Sequence, residues 1–252
     1  MTRSDLIVTL GLPTEADVSQ RVPKKMLTES GAPTPGDRRL IENGVEELEW
    51  LAALKPTTIG VAPYQDATRQ YIEIAVLGLK LRPKAKPDRI EELVHRAVPY
   101  PVVLITEQPP LVSMSLAHKR WSQGETGATV LDGDIVRVCL DDVEDQDLIG
   151  TFMHGLLLAG QPQSTLYALY QGWMDTILAL EAAQVTGQYI VLTSPERAAR
   201  RREALQTCIR LQDQMMKLRS VANREKQLPR LAALNIELKR LQEEYAAARE
   251  QL

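Results

Sequence analysis

Tyr71-Ile-Glu-Ile-Ala-Val-Leu-Gly-Leu-Lys-Leu81, Asp88-Arg-Ile-Glu-Glu-Leu-Val-His-Arg-Ala97 and Pro101-Val-Val-Leu-Ile105 decide the fold. The first segment reads as a strand. Ile72, Ile74 and Val76 share one parity and Leu77, Leu79 and Leu81 the other, with Gly78 beside the switch suggesting a bulge. In the second, Ile90, Leu93, Val94 and Ala97 fall on one face of a short helix. The third is a continuous apolar run, as expected of a central strand covered on both faces. Strand, helix and strand in this order point to a mixed sheet with helices packed on it.

Upstream, Thr34-Pro35-Gly36-Asp37 reads as a helix start, with Thr34 as cap, Pro35 at the first helical position and Asp37 reaching back. Ile41, Val45, Leu48 and Leu51 continue at helical spacing, and Lys55-Pro56 is expected to end that helix. Thr57 to Val61 reads as a strand. Downstream, Val112, Met114 and Leu116 alternate, as in a half-exposed strand. Val130-Leu131 and Ile135 to Leu140 flank Asp132-Gly133 and read as a hairpin. Beyond residue 142 strand signals nearly stop. Gln146 to Ala159 reads as helical. Ser164 is expected to cap a helix lined by Leu166, Leu169, Trp173, Ile177 and Leu180, and Ser194-Pro195 opens another.

From Ala204 the pattern is regular. Ala204, Cys208, Leu211, Met215, Leu218 and Ala222 form one seam, and Leu231, Leu234, Leu238, Leu241, Tyr245, Ala248 and Leu252 form a second at three-four spacing. The seams differ in phase across Pro229, so a break or an antiparallel helical hairpin is expected there. The expected fold is therefore α+β: a mixed-sheet domain over 1–142, a helical region over 143–194, and a coiled coil or helical hairpin over 195–252. The leucine seam needs cover from the preceding helix, a second copy or a partner, because an isolated helix of that length is marginal. Leu231, Leu234, Leu238, Leu241 and Tyr245 are the candidate partner-binding residues.

The 252 residues carry a net charge of −3, with 44% apolar, 25% charged and only 4% aromatic residues. Such a composition is that of an ordinary folded domain and excludes a globally basic nucleic-acid binder. The charge is uneven: residues 195–252 have a local +5 and the remainder −8. Arg197, Arg200, Arg201 and Arg202 are the densest basic cluster, serving either as a solvated helix face or as a phosphate or acidic-partner contact. Cys139 and Cys208 make neither a disulfide framework nor a metal knuckle, and no apolar run reaches the length of a membrane span, so a cytoplasmic setting is expected.

Several segments together resemble the bacterial domain-of-unknown-function family 4391. They are Gln20-Arg-Val-Pro-Lys-Lys25, Leu54-Lys-Pro-Thr-Thr-Ile-Gly-Val61, His95-Arg-Ala-Val-Pro-Tyr-Pro101, Ser115-Leu-Ala-His-Lys-Arg120, Arg224-Glu-Lys-Gln-Leu-Pro-Arg230 and Leu234-Asn-Ile-Glu-Leu-Lys239. The resemblance spans nearly the whole chain. It implies a prokaryotic source and company with helicase and DNA-methyltransferase genes of the restriction or phage-defence type. It assigns no catalytic residue.

Candidate chemistry is sparse. His118, Lys119 and Arg120 at a strand end, joined by Arg21, Lys24 and Lys25 on a loop stiffened by Pro23, are candidates for phosphate or nucleic acid, as are Arg200 and Arg201. The other reading is an ordinary solvated strand end and loop. His95 and Arg96 are expected to complement a helix C-terminus. Histidine pairs, Cys/His clusters, phosphate-binding glycine loops and nucleophile elbows are absent from the sequence, so no metal site and no cofactor is expected. The resulting expectation is a non-catalytic accessory or adaptor protein that contacts nucleic acid or a protein partner and self-associates or assembles through its C-terminal helices. The alternative is a metal-dependent nuclease or other phosphodiester enzyme using Asp37 or Glu73 with Lys119.

Overall fold

The computed structural model describes residues 2–143, 145–192 and 194–252. Among them lie ten strands and nine α-helices. In chain order these are α1 (Arg3–Thr9), β1 (Asp17–Arg21), α2 (Lys24–Ser30), α3 (Pro35–Gly44), β2 (Val45–Leu54), α4 (Pro56–Ile59), β3 (Tyr64–Gln65), β4 (Gln70–Tyr71), β5 (Ile74–Leu81) and α5 (Pro87–Ala97). There follow β6 (Val102–Gln108), β7 (Leu111–Ala117), β8 (Lys119–Trp121), β9 (Thr129–Leu131), β10 (Val136–Cys139), α6 (Gln146–Gly155), α7 (Leu166–Thr186), α8 (Pro195–Ala222) and α9 (Leu228–Arg249). The class is α+β, as expected.

The chain forms two compact units, Met1–Ile177 and Leu178–Leu252. The first is built on a six-stranded sheet of order β1-β2-β5-β6-β7-β10. Only β5 and β6 run parallel, with Ala75 opposite Val102 and Leu79 opposite Thr106, and α5 makes the crossover between them. Helices α2, α3 and α5 cover one face, where Ile41, Leu48, Leu77, Leu79, Ile90, Leu93 and Leu104 share a core. On the opposite face Arg3 of α1 reaches Gly78 and Glu49, and α7 bonds to the sheet through Tyr170. Its hydroxyl donates to Val102 O (2.7 Å) and accepts from the Ala117 amide (2.8 Å). That tie holds the start of α7 to the sheet, and the acidic loop of 142–146 leads into α6. Within that loop, Glu144 lies outside the described residues.

Several local expectations need correction. Thr34 does cap α3, its Oγ1 accepting from the Asp37 amide, but the helix stops at Gly44 and Val45–Leu54 is a strand. Pairing with β1 and β5 outweighs the helical propensity of its Glu, Leu and Ala residues. Thr57 to Ile59 belong to α4, not to a strand; Pro56 starts it and Gly60, at φ 70°, ends it. In the β2–β5 pairing the bulges lie in β2, between Val45 and Glu47 and between Trp50 and Ala52, rather than at Gly78. Gly78 instead admits the Arg3 guanidinium, which a Cβ there would meet at 3.1 Å. Strand β7 is buried on both faces below Leu111, not half-exposed. The expected 130–140 hairpin is split, since β9 pairs with β8 and β10 with β7. Thr165, not Ser164, caps α7 by accepting from the Ala168 amide.

In the second unit α8 and α9 pack as an antiparallel-type hairpin around a turn at 223–227. Ser194 caps α8 and Pro229 sits in the first turn of α9. The core contains Leu211, Met215 and Leu241, flanked by Leu218, Leu238 and Tyr245. Thus both predicted seams face one another within a single chain. Among the described residues no helix is long and apolar enough to cross a membrane.

Candidate functional site

Helix α5 brings Glu91 and His95 to the sheet side, one turn apart, on the same flank as Ile90 and Val94. Their partners come from alternate residues of β7. Ser113 Oγ donates to Glu91 Oε1 (3.0 Å), and Ser115 Oγ lies 3.0 Å from His95 Nε2. From β10, Arg137 places Nε 3.0 Å from Glu91 Oε2 and Nη1 3.1 Å from Asp88. Burial pushes the Glu91 carboxyl up, opposed by Arg137. It pushes His95 down to about 3, so the imidazole is neutral and does not supply the expected positive charge at the helix end. A cleft of about 600 Å³, lined by Asp88, Glu91, Glu92, Arg96, Asp134 and Arg137, lies beside the network. The serine–histidine contact itself is sealed, with both residues fully buried.

The charge expected of His95 comes from Lys119. Its ammonium donates to His95 O and Val98 O at the C-terminal end of α5. Lys119 is 1% exposed, and burial lowers it to about 8. His118 is buried as well. Its Nδ1 shares a hydrogen bond with the Tyr71 hydroxyl, and its Nε2 lies 2.8 Å from Gln171 Oε1, while Gln171 Nε2 donates to Asp175. The glutamine oxygen therefore assigns the ring proton to Nε2. Tyr167 stacks on both His118 and Tyr64, and Arg69 bridges the Tyr167 hydroxyl (3.0 Å) and Asp132 (2.6 Å). Arg120 lies 3.8 Å from the same Asp132. These shared partners rigidify the strand end.

The remaining sequence candidates are dispersed. Arg21 faces Glu47 at 3.7 Å, Lys24 donates to Val45 O, and Lys25 faces Glu29 at 3.6 Å. Arg21 and Lys24 share a cleft of about 340 Å³ with Glu46 and Glu47, apart from the buried His118 and Lys119. On α8, Arg200 is exposed, whereas Arg201 is buried and donates to Ile190 O and Leu252 O. Asp37 is held by Arg89 at 2.9 Å, Glu73 by Lys55 at 3.2 Å, and Lys119 by the end of α5, so three different partners occupy the alternative catalytic set. Among the described residues no group of three or more His, Cys, Asp or Glu side chains is placed to hold a metal ion.

On α9, Leu241 is buried and packs with half-buried Leu238 and Tyr245 against α8, and Leu231 and Leu234 are half-buried. The outward and tip positions are different. Met216, Val221, Leu228 and Ile236 are 62, 53, 78 and 73% exposed. Around the turn, Lys217, Arg219, Arg224, Lys226 and Arg230 form no ion pair among the described residues. These tip residues were hidden from seam counting because they lie off the seam. A second missed feature is the basic run Arg82-Pro-Lys-Ala-Lys-Pro87, whose alternation of cations with proline and alanine is its sequence signal.

No curated protein and no solved structure matches the chain. One family model does, described as a domain of unknown function (DUF4391), over residues 10–244. With nearly its full length matched, the chain belongs to the DUF4391 family.

Proposed function

We propose that this chain is a non-catalytic accessory or adaptor protein whose α8–α9 hairpin docks on a protein partner. The observation carrying this reading is the hairpin tip. Met216, Val221 and Leu228 stand in water among five cations with a single carboxylate, Glu225, between residues 217 and 230. Large apolar side chains ringed by charge match the anatomy of a protein interface, and the charge favours an acidic partner surface. Lys119, His118 and Glu91 in the first unit support the same reading, since each bonds to other groups of the fold. The family resemblance suggests where to look for the partner, among products of neighbouring helicase or methyltransferase genes.

The test is co-expression of the full chain with those products, followed by size-exclusion chromatography. The wild-type chain elutes with a partner, and Val221→Asp with Leu228→Asp releases it without changing the far-UV circular dichroism. A complex that survives the double variant contradicts the reading. So does a chain that stays monomeric beside every neighbouring product.

A further inference from the structure

The loop between β5 and α5 packs against α3 and leaves a cleft of about 500 Å³. Its lining includes Arg39, Arg82, Lys84 and Lys86 and contains no aspartate or glutamate, in a chain whose net charge is negative. Leu40, Pro83 and Ala85 form an apolar floor. Arg39, Lys84 and Lys86 make no ion pair among the described residues. Arg82 spends one guanidinium nitrogen on the carbonyls of Asn43 (2.8 Å) and Glu42 (3.3 Å), leaving its other donors for a ligand.

The loop is held in place rather than merely exposed. The Arg82 amide donates to Gly44 O (2.9 Å) and the Ala85 amide to Arg82 O (3.0 Å). Gln108 Nε2 donates to Arg82 O (2.9 Å) and Ala85 O (3.1 Å). At Gly44 a Cβ would stand 2.6 Å from Ile90 Cδ1 and 3.1 Å from Ala85 Cβ, so glycine allows the close approach. Pro83 and Pro87 stiffen the loop further. Cations on a backbone ordered before binding lose less entropy when a ligand arrives.

We propose that this cleft is a binding site for the phosphodiester backbone of a nucleic acid. Four cations without an aromatic platform suit phosphates rather than stacked bases. An acidic protein would be expected to bury large apolar anchors, and none of the cleft residues is a large exposed apolar side chain, in contrast to the hairpin tip. The proposal deepens the accessory reading by naming a ligand for the first unit. It uses no hairpin residue, so either can fail alone.

The experiment is fluorescence anisotropy of the full chain with labelled 20-nucleotide single-stranded DNA, the same sequence as RNA, and a 20-base-pair duplex, titrated in salt. Neutralising three to four phosphates predicts a log–log salt slope of about 3. Lys84→Glu with Lys86→Glu weakens binding at least about tenfold and reduces the slope by about 2 for at least one of the three probes. Arg210→Glu with Lys239→Glu, on the hairpin away from its tip, leaves affinity within about twofold, and circular dichroism confirms that both variants fold. No binding of any probe at 50 mM salt overturns the proposal. So does an equal loss in the hairpin variant, or competition by polyglutamate or inorganic pyrophosphate as effective as by unlabelled nucleic acid at equal charge.

Discussion

The two units spend their polar and apolar groups in opposite ways. In the first, even charged side chains are turned inward: Lys119 caps α5, Glu91 receives Ser113 and Arg137, and His118 bridges Tyr71 to Gln171. In the hairpin, two helices bury one seam only, and apolar and cationic groups at the tip remain in water. A six-stranded sheet covered on both faces has enough interior to satisfy such groups. The hairpin has a single contact face: Arg201 is buried and bonded to Ile190 O and Leu252 O at the end away from the turn, but the tip has no such interior. The difference teaches where binding is to be sought: on the surfaces left unspent, which are the hairpin tip and the cationic cleft, rather than in the buried polar spine.

The comparison is broken most severely at Lys119. Lys119→Met keeps the volume but leaves two buried carbonyls without a donor, and costs about 3 kcal/mol of stability, read as a shift in urea midpoint at constant slope. A change below about 1 kcal/mol would mean that the helix end is satisfied by water and that the first unit is less closed than described.

His95 sharpens the comparison through pH. Its folded value of about 3 lies far below the ordinary 6.5, so the unfolded chain takes up a proton between these values that the folded chain refuses. Stability from this group is complete above about pH 6.5 and is lost as pH falls toward 3. Glu91 acts in the opposite sense, because its raised value favours the fold on acidification. The difference between wild type and His95→Gln isolates the histidine. From pH 7 to 5 the wild type loses about 2 kcal/mol more than the variant in urea titrations. Parallel profiles would show that His95 takes up its proton within the fold.

The readable and unreadable parts of the sequence divide along physical lines. Helix α5 and the two facing seams were legible because they are strongly periodic and periodicity reports burial directly, and strand β6 because its apolar run is unbroken. Strand β2 was not, since Val45-Glu-Glu-Leu-Glu-Trp-Leu-Ala-Ala-Leu54 is rich in helix formers and becomes a strand only through pairing with β1 and β5. The site was less legible still. A basic triplet after a strand looks like an exposed phosphate contact, and nothing local says that Lys119 lies under the end of α5 while only Arg120 remains near the surface. Ser113 and Ser115 looked like the polar side of an alternating strand, although they face Glu91 and His95 in the interior. Such pairings depend on residues about twenty positions apart. By contrast, Arg82-Pro-Lys-Ala-Lys-Pro87 carried a local signal in its composition.

Hydrogen exchange on the free full-length chain measures the contrast between a closed unit and an open hairpin most directly. Amides of 213–235, where the seam is thinnest, are expected to exchange through local openings at least about 2 kcal/mol cheaper than those protecting β6 and β7. Equal protection of the hairpin tip and the central strands would contradict the account.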